Sequence, residues 1–420
     1  MPVASGYGEM KESGVEWIGE VPSNWHISPL KHLFSIKKEI AGVLGYNVLS
    51  VTQKGIIPKD MNNKGQFALD YSKYQLVQCG DFIMNHMDLL TGWVDISKYE
   101  GVTSPDYRVF VANKLIEIFP IYYKFIFQYC YSNHIFYGLG QGVAGFGRWR
   151  LPAAMFLNFI LPVPPVNEQQ YISIYLDAKC STLDSIITEA KASIEEYKAL
   201  KASVIYEAVT KGLDPDVKMK DSGVEWIGKM PSKWNLSRIK NEVINLDSLR
   251  EPISAENRDN KLGLYDYYGA SGVIDKIDDF NVEDTVLLIG EDGANLKMRN
   301  LPLVYRATGK FWVNNHAHIL KVNENNSYSF MSYVLEAGDY SVYITGSAQP
   351  KLSQSNLMRF PIPMPMLREQ KKIADYLDAK CADMDALIFE KQSLISDLEA
   401  YKKSLIFEVV TGKRKVDASV

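Results

Sequence analysis

MKESGVEWIGEVPSNW, from Met10 to Trp25, returns as MKDSGVEWIGKMPSKW, from Met219 to Trp234, and only four positions differ. A match of this length within one chain does not arise by chance, so it marks an internal repeat. A second pair supports it, because EQQYISIYLDAKC (Glu168 to Cys180) corresponds to EQKKIADYLDAKC (Glu369 to Cys381). The sequence therefore predicts two tandem copies of one structural unit, related by a pseudo-two-fold axis.

The repeated pieces enclose two long stretches whose sequences do not align beyond their ends. We call the two stretches that do not align the private domains. Their alternation with the repeated segments predicts the domain order. It comprises a repeated segment (1–23), a first private domain (24–165), a first long helix (166–212), a second repeated segment (213–232), a second private domain (233–365), a second long helix (366–413) and a short tail (414–420).

The composition is that of a globular protein and excludes several classes. The chain has 420 residues and a net charge of −4, which suits two or three domains with cores of their own. No apolar run reaches the length of a membrane span, and the opening residues MPVASGYGEMKES lack the regions of a signal peptide. We therefore expect a cytoplasmic protein without membrane contact. The four cysteines show no metal-type spacing and are too sparse for a disulfide framework, so we expect reduced thiols.

Each shared helical segment is long and free of glycine and proline, from Glu168 to Lys211 and from Glu369 to Thr411. Apolar side chains recur every seven residues along both segments, which indicates a long helix with a buried seam. The predicted seam residues are Leu176, Leu183, Tyr197, Val204, Leu377, Met384, Leu398 and Leu405.

Two such rods, each about 65 Å long at roughly 1.5 Å per residue, are longer than a compact domain can cover. We expect them to pair with each other as an antiparallel coiled coil; the alternative is that each packs only on its own domain. Antiparallel pairing would hold the private domains a fixed distance apart. It would also leave Cys180 and Cys381 roughly 30 Å apart, beyond disulfide reach.

The private domains combine strand-like and helix-like patterns. Short runs of alternating apolar and polar residues, such as YQLVQCGDFIMN and DTVLLIG, are punctuated by turn residues, and an aromatic helical segment follows in each domain. The predicted fold class is therefore α+β, with two mixed α/β domains joined by the two long antiparallel helices.

Sequence motifs give no sign of catalysis. The glycine pattern from Gly140 to Gly145 lacks the strand before it and the helix after it that a dinucleotide site requires. His316 and His318 share one face of a predicted strand without a third ligand at a suitable spacing, so paired structural histidines are favoured over a metal site. We expect neither a metal nor a cofactor in this chain, and no catalytic residue.

The duplicated SGVEWIG with PSNW or PSKW, and the duplicated LPVPPVNEQ or IPMPMLREQ leading into a YLDAKC helix, resemble the specificity subunits of type I restriction-modification systems. The resemblance covers both copies in order. It implies two target-recognition domains that each read one half of a bipartite, asymmetric site in double-stranded DNA. It also implies partners: two methyltransferase subunits that bring S-adenosylmethionine, and restriction subunits that use ATP and Mg²⁺.

The resemblance directs attention to side chains that suit base edges or phosphates, namely Arg and Lys for guanine and Asn and Gln for adenine. In the first domain the candidates are Asn85, His86, Gln141, Arg148 and Arg150; in the second they are Lys297, Arg299, Asn314, Asn315, Gln349, Lys351 and Gln354. Each has an alternative as a solvated loop residue.

Four repeated tryptophans, Trp17, Trp25, Trp226 and Trp234, are candidate anchors for a partner subunit, since buried aromatic residues often dominate interfaces. The alternative is that they fasten each private domain to the helices. Two other functions remain open from the sequence: a stand-alone DNA-binding scaffold without restriction partners, and an enzyme whose site has no recognisable motif.

Overall fold

The structure is a computed structural model that describes residues 7–59, 70–142, 149–259 and 261–416. The chain divides into two compact units, Met1–Glu189 with Ser393–Val420, and Ala190–Gln392. Each unit therefore contains one private domain, the first part of one long helix and the last part of the other.

The first copy of the repeat, which comprises the repeated segment, the first private domain and the first long helix, contains strands β1 (Met10–Glu12), β2 (Glu20–Pro22), β3 (His26–Pro29), β4 (Phe34–Lys37), β5 (Leu49–Thr52), β6 (Gly55–Pro58), β7 (Gln75–Val77), β8 (Phe82–Met84), β9 (Val94–Ile96), β10 (Gly101–Thr103), β11 (Arg108–Ala112) and β12 (Ile160–Val163). The helices are α1 (Leu30–Leu33), α2 (Pro120–Ser132), α3 (Ile135–Gly138), α4 (Ala153–Leu157) and α5 (Val166–Lys211), the first long helix.

The second copy contains strands β13 (Met219–Asp221), β14 (Lys229–Pro231), β15 (Asn235–Arg238), β16 (Val243–Asn245), β17 (Leu262–Gly269), β18 (Gly272–Ile277), β19 (Val282–Gly290), β20 (Val304–Val313), β21 (Ala317–Val322) and β22 (Pro361–Met364). The helices are α6 (Ile239–Glu242), α7 (Ala255–Asp259), α8 (Asn295–Met298), α9 (Tyr328–Ala337), α10 (Gln354–Met358) and α11 (Leu367–Val410), the second long helix, with 3-10 turns at Asp247–Leu249 and Ser341–Tyr343.

The two private domains share a sheet framework that their sequences do not reveal. In the first domain an antiparallel sheet has the order β4-β11-β8-β9, and in the second the strands β16-β21-β19-β20 follow the same order. The second domain adds β17 and β18 beyond β20, where β17 runs parallel to β20. The expected mixture of strands and helices is confirmed in both domains.

The register of the two sheets identifies equivalent residues. Arg108 of β11 lies opposite Met84 of β8, and His318 of β21 lies opposite Ile289 of β19. β8 ends at Met84 and β19 ends at Gly290, so in each domain the partner strand ends at or next to this pair of residues. Arg108 and His318 are therefore equivalent positions in the two domains.

Aromatic side chains fill the core of the first unit. The ring of Phe34 meets Phe82, Phe110 and Phe127 edge-on, and Phe82 stacks on Phe110 at 4.9 Å between centroids. This packing places α2 against the sheet. The second core is mainly aliphatic and uses the sheet, α9 and the long helices of that unit.

The long helices form because their sequences contain no helix breaker, and each ends at a glycine. Gly212 and Gly412 have φ values of 77° and 74°, a left-handed conformation that glycine adopts at low cost after a helix. A Cβ atom at Gly412 would lie 2.3 Å from Cδ of Pro22, so the close approach also requires glycine.

Within each unit the segments of the two long helices run antiparallel, which confirms the prediction. In the first unit Lys402 contacts Asp184 at 2.6 Å. Farther along in opposite directions, burial lowers the pKa of Arg414 but the nearby side chains of Tyr401 and Tyr175 outweigh it and raise the pKa, so Tyr175 lies near Arg414. In the second unit Lys201 contacts Asp385 at 2.6 Å, and Lys391 lies over the ring of Tyr197. The two ion pairs are copies of each other in the repeat.

Cys79, Cys130, Cys180 and Cys381 are free thiols, as predicted. Burial raises the pKa of the Cys180 thiol to about 11. In the described part of the chain no helix is both long and apolar enough to cross a membrane.

Candidate nucleic-acid interface

Two separate predicted segments of the first domain meet at one place. The peptide N–H of Leu151 donates to the carbonyl oxygen of His86 at 2.9 Å, and Nη2 of Arg108 donates to the carbonyl oxygen of Leu151 at 2.9 Å. Arg150 stands next to Leu151 and is exposed. We name His86, Arg108, Arg150 and Leu151 the first junction.

Asn85 and Gln141 flank this junction. The Asn85 side chain accepts from the peptide N–H of Met87 at 3.3 Å, which shapes the turn after β8. Gln141 and Arg150 exchange two backbone hydrogen bonds. Gln141 is exposed, whereas Arg148 lies outside the described residues.

The first junction is cationic. Burial, together with the nearby charges of Arg108 and Arg150, lowers the pKa of His86 from 6.5 to about 4, so this ring is neutral at pH 7. Burial lowers the pKa of Arg108 to about 10, which still leaves it charged. Nη1 of Arg108 and Nδ1 of His86 are buried and have no hydrogen-bond partner among the described residues.

The second domain repeats this arrangement with different side chains. The peptide N–H of Leu352 donates to the carbonyl oxygen of Glu291 at 2.7 Å, and Nε2 of His318 lies 2.8 Å from the carbonyl oxygen of Leu352. That oxygen only accepts, so Nε2 carries the hydrogen. Lys351 stands next to Leu352. Glu291, His318, Lys351 and Leu352 form the second junction, position for position.

The charges of the second junction are compensated. Lys351 Nζ lies 2.9 Å from Glu291 Oε1, Arg250 contacts the other oxygen of Glu291, and Asp247 lies 2.7 Å from Nδ1 of His318. Burial alone would raise the pKa of Glu291, but hydrogen bonds from Lys351 and Arg250 outweigh it and lower the pKa. The two junctions thus share a backbone geometry and differ in electrostatics.

The remaining candidates near the second junction differ in accessibility. Asn314 is only 5% exposed, and its side-chain oxygen accepts from the peptide N–H of His316 at 2.8 Å, so it forms a turn instead of offering a base contact. Asn315 and Gln349 are exposed. Gln354 is exposed and donates to Asn245 at 2.7 Å.

Lys297 and Arg299 belong to the segment of α8. Lys297 is exposed. Arg299 has φ 52°, and its guanidinium donates to the carbonyl oxygens of Glu336 and Gly338, so these donors are already used within the domain. A DNA contact by Lys297 or by the remaining donors of Arg299 stays a prediction.

The repeated tryptophans pack on their own domains. Trp25 and Trp234 have no appreciable exposed surface and lie against Gly412 and Gly212 at the ends of the long helices. They therefore fasten the repeated segment and have nothing to offer a partner. This arrangement replaces the anchor hypothesis for these two residues with the alternative of internal packing.

Trp17 stacks on Phe159 at 5.6 Å, and Trp226 stacks on Phe360 at 5.3 Å, so each joins its repeated segment to its private domain. Both are half-buried and keep some accessible surface. A partner contact by Trp17 and Trp226 remains a prediction.

The glutamine that is repeated near the start of both long helices, Gln169 and Gln370, has a structural role that the sequence did not suggest. The side chain of Gln169 accepts from the N–H of Phe119 at 2.8 Å and donates to Pro164, both at the start of a helix. Gln370 does the same with Ser327 and Pro365. Each glutamine joins a helix of a private domain to the first turn of a long helix.

The predicted seam residues face inward. Leu176, Leu183, Leu377 and Leu405 are buried, and Tyr197, Val204, Met384 and Leu398 are half-buried. Leu176, Leu183 and Leu405 belong to the core of the first unit, and Leu377 belongs to that of the second.

Sequence reasoning missed the residues that organise both junctions, Arg108, Glu291 and Asp247. Arg108 did carry a signal, because it is a single charge at the start of the apolar strand RVFVA. His318 was recognised as a structural histidine, and its two ring hydrogen-bond contacts agree with that interpretation.

The same protein-family model matches this chain twice, once in each copy of the repeat. Residues 22–196 and 231–394 match the family described as type I restriction modification DNA specificity domain. The type I restriction enzyme MjaVIII specificity subunit of Methanocaldococcus jannaschii is 23% identical over 380 residues, which is 82% of this chain and 83% of that protein.

A provisionally named type I restriction enzyme specificity subunit of Haemophilus influenzae is 32% identical over 142 residues, which cover 34% of this chain and 36% of that protein. Among solved structures, a chain from a study of a type I R-M system superposes with a TM-score of 0.69 at 12% identity, covering 93% of this chain and 98% of that one. This likeness shows a shared fold.

Proposed function

The chain belongs to the family defined by the type I restriction modification DNA specificity domain, and we propose that it is the subunit that gives such a complex its DNA sequence specificity. In this proposal each private domain reads one part of a two-part asymmetric site in double-stranded DNA. The chain itself performs no catalysis.

The observation that carries the proposal is the pairing of one framework with two sets of side chains. Equivalent positions hold His86 and Glu291, Arg108 and His318, and Arg150 and Lys351. A common scaffold with different polar groups is suited to reading different bases with the same approach to DNA.

Partner docking is supported by apolar side chains that the repeat leaves exposed on both long helices. Ile186 and its copy Leu387 are 40% and 39% exposed, and Leu200 and its copy Tyr401 are 50% and 47% exposed. Each unit carries one member of each pair. Identical subunits need duplicate surfaces, so we propose that two methyltransferase subunits dock here.

In the assembled complex the methyltransferase subunits would supply S-adenosylmethionine, and restriction subunits would supply ATP- and Mg²⁺-dependent steps. This chain would contribute recognition and docking in the cytoplasm.

The proposal is tested by selecting duplexes from a randomised library with the purified full-length chain, alone and with its methyltransferase partner. We expect two different short blocks of preferred bases, separated by a spacer of constant length and no preferred sequence. A palindrome, a single block or no enrichment in either condition would contradict it. Sequence preference without methyltransferase binding would favour a stand-alone DNA-binding scaffold.

A further inference from the structure

Of the four residues that form each junction, the leucine is the one that both domains share, and a buried side chain, Arg108 or His318, contacts its carbonyl oxygen. Leu151 and Leu352 are both fully buried, while the preceding Arg150 and Lys351 are exposed. The position of each exposed cation therefore depends on how firmly the backbone of the following leucine is held.

In the first domain four hydrogen bonds hold Leu151 and the adjacent Arg150. Leu151 donates its N–H to His86, accepts at its carbonyl oxygen from Arg108, and is preceded by the backbone exchange between Arg150 and Gln141. A short bridge alone would fray, because isolated backbone pairs in loops open readily. The guanidinium adds a charge-assisted bond at the one carbonyl that the bridge leaves unpaired.

The second domain reaches the same result with an imidazole. His318 occupies the position of Arg108 and contacts the carbonyl oxygen of Leu352, while Lys351 exchanges backbone hydrogen bonds with Thr345. His318 is held from its other side by Asp247. Two chemically different side chains thus make the same contact at the same register of the sheet.

We propose that Arg108 and His318 are equivalent positioning residues, which hold Leu151 and Leu352 and thereby fix where Arg150 and Lys351 stand. Neither would contact DNA. The inference about position stands on the structure alone; its consequence for base preference rests on the proposed function.

Trypsin provides a direct test, because it cleaves after arginine and lysine and the two bonds of interest are Arg150–Leu151 and Lys351–Leu352. In the wild-type full-length chain both bonds should be protected. Arg108→Met should speed cleavage of the first bond about tenfold relative to the second, since it leaves a buried carbonyl without its donor. His318→Phe should do the reverse.

Conservative variants separate positioning from bulk packing. Arg108→Lys and His318→Gln keep a donor near the leucine carbonyl and should restore protection. Arg258→Met is the matched control, because Arg258 also donates to a backbone carbonyl, that of Ile253, outside both junctions. Equal acceleration at both bonds, no acceleration, or failure of the conservative variants to protect would overturn the proposal.

A second measurement separates this proposal from the proposed function. In the randomised-duplex selection, Arg108→Met should relax preference in one block of bases only, and Arg108→Lys should retain it. If the wild-type chain selected no sequence, the function would fall while the cleavage ratios would still decide the positioning role. Normal cleavage ratios with unchanged selection in Arg108→Met would remove the positioning role alone.

Discussion

Arg150 and Lys351 occupy equivalent positions, but their charges are not equally available. Lys351 is paired with Glu291 at 2.9 Å, whereas Arg150 makes no ion pair within the described part of the chain. A contact with DNA therefore requires Lys351 to exchange one partner for another, and Arg150 has no such cost.

We accordingly expect Arg150→Ala to weaken specific binding by about 1–3 kcal/mol, and Lys351→Ala to weaken it by less. Fluorescence anisotropy titrations with a selected duplex at several salt concentrations measure both effects. A uniform loss on all sequences with a shallower salt dependence would identify a phosphate contact. Lys98→Ala, an exposed cation outside the junction, serves as the control. A larger loss for Lys351→Ala would contradict the expected order.

The depressed pKa of His86 predicts a pH dependence of stability. The folded pKa of about 4 lies below the ordinary 6.5, so between these values the unfolded chain binds a proton that the folded chain does not. The stability contribution is therefore present above pH 6.5 and is lost as the pH falls toward 4.

Urea unfolding of the first unit, followed from pH 7.5 to about 4.5, measures this effect. We expect the wild-type chain to lose more stability over this range than His86→Asn, which has no titrating ring. Parallel curves for the two proteins would show that His86 titrates normally.

At the residue scale, the sequence identified exposed polar candidates well and internal ones poorly. Gln141, Arg150 and Lys351 were accessible to reasoning about DNA chemistry, and all three are exposed. Arg108 and Glu291 were not, because their roles depend on which backbone groups lie within 3 Å. Contacts of that kind arise from long-range packing, so they leave no pattern in the local sequence.

On one long helix, apolar side chains of the buried seam and of the outer surface differ strongly in their exposure. Leu176 is fully buried in the core of the first unit, and Ile186, ten residues later on the same helix, is 40% exposed. Both are aliphatic, so their substitutions by alanine compare burial directly.

We expect Leu176→Ala to destabilise the first unit by about 2–5 kcal/mol, since it leaves a cavity in a packed core. Ile186→Ala should change stability by no more than about 0.5 kcal/mol. Urea unfolding measures both. Ile186→Ala should instead weaken capture of the methyltransferase subunit, measured by co-purification, and unchanged capture would argue against docking on this face.

At the element scale, the helices were the most predictable part of the fold. A continuous heptad pattern, two glycine stops and the internal repeat all agreed, so the antiparallel pairing followed from the sequence. The common strand order of the private domains did not. Strands pair through backbone hydrogen bonds, which are compatible with many different side chains. Two sheets with the same strand order can therefore have sequences that do not align.

Both long helices pass from one unit into the other, because the division of the chain falls within each of them. If the two private domains read two parts of one DNA site, as proposed, we expect the length of these helices to affect the preferred spacer. Inserting seven residues into each helix preserves the heptad phase and adds roughly 10 Å at 1.5 Å per residue.

We expect this double insertion to lengthen the preferred spacer by about three base pairs at 3.4 Å each. Duplex selection with the insertion variant measures the spacer, and an insertion in only one helix is the control that should disrupt the pairing. A wild-type spacer preference in the double variant would show that the helices do not set the distance.

The composition of the first unit has a consequence for biosynthesis. It requires Ser393–Val420, whereas the second unit uses one uninterrupted stretch that ends at Gln392. A ribosome therefore delivers every residue of the second unit before the first can close, although the first begins earlier in the chain. At about 5–20 residues per second, the aromatic core made first waits for the last helical turns, including Leu405 and Val409, for roughly ten to forty seconds. During that interval the part of this core that Leu405 and Val409 cover stays open to water. We therefore expect chaperones to bind preferentially the half of the protein that is synthesised first.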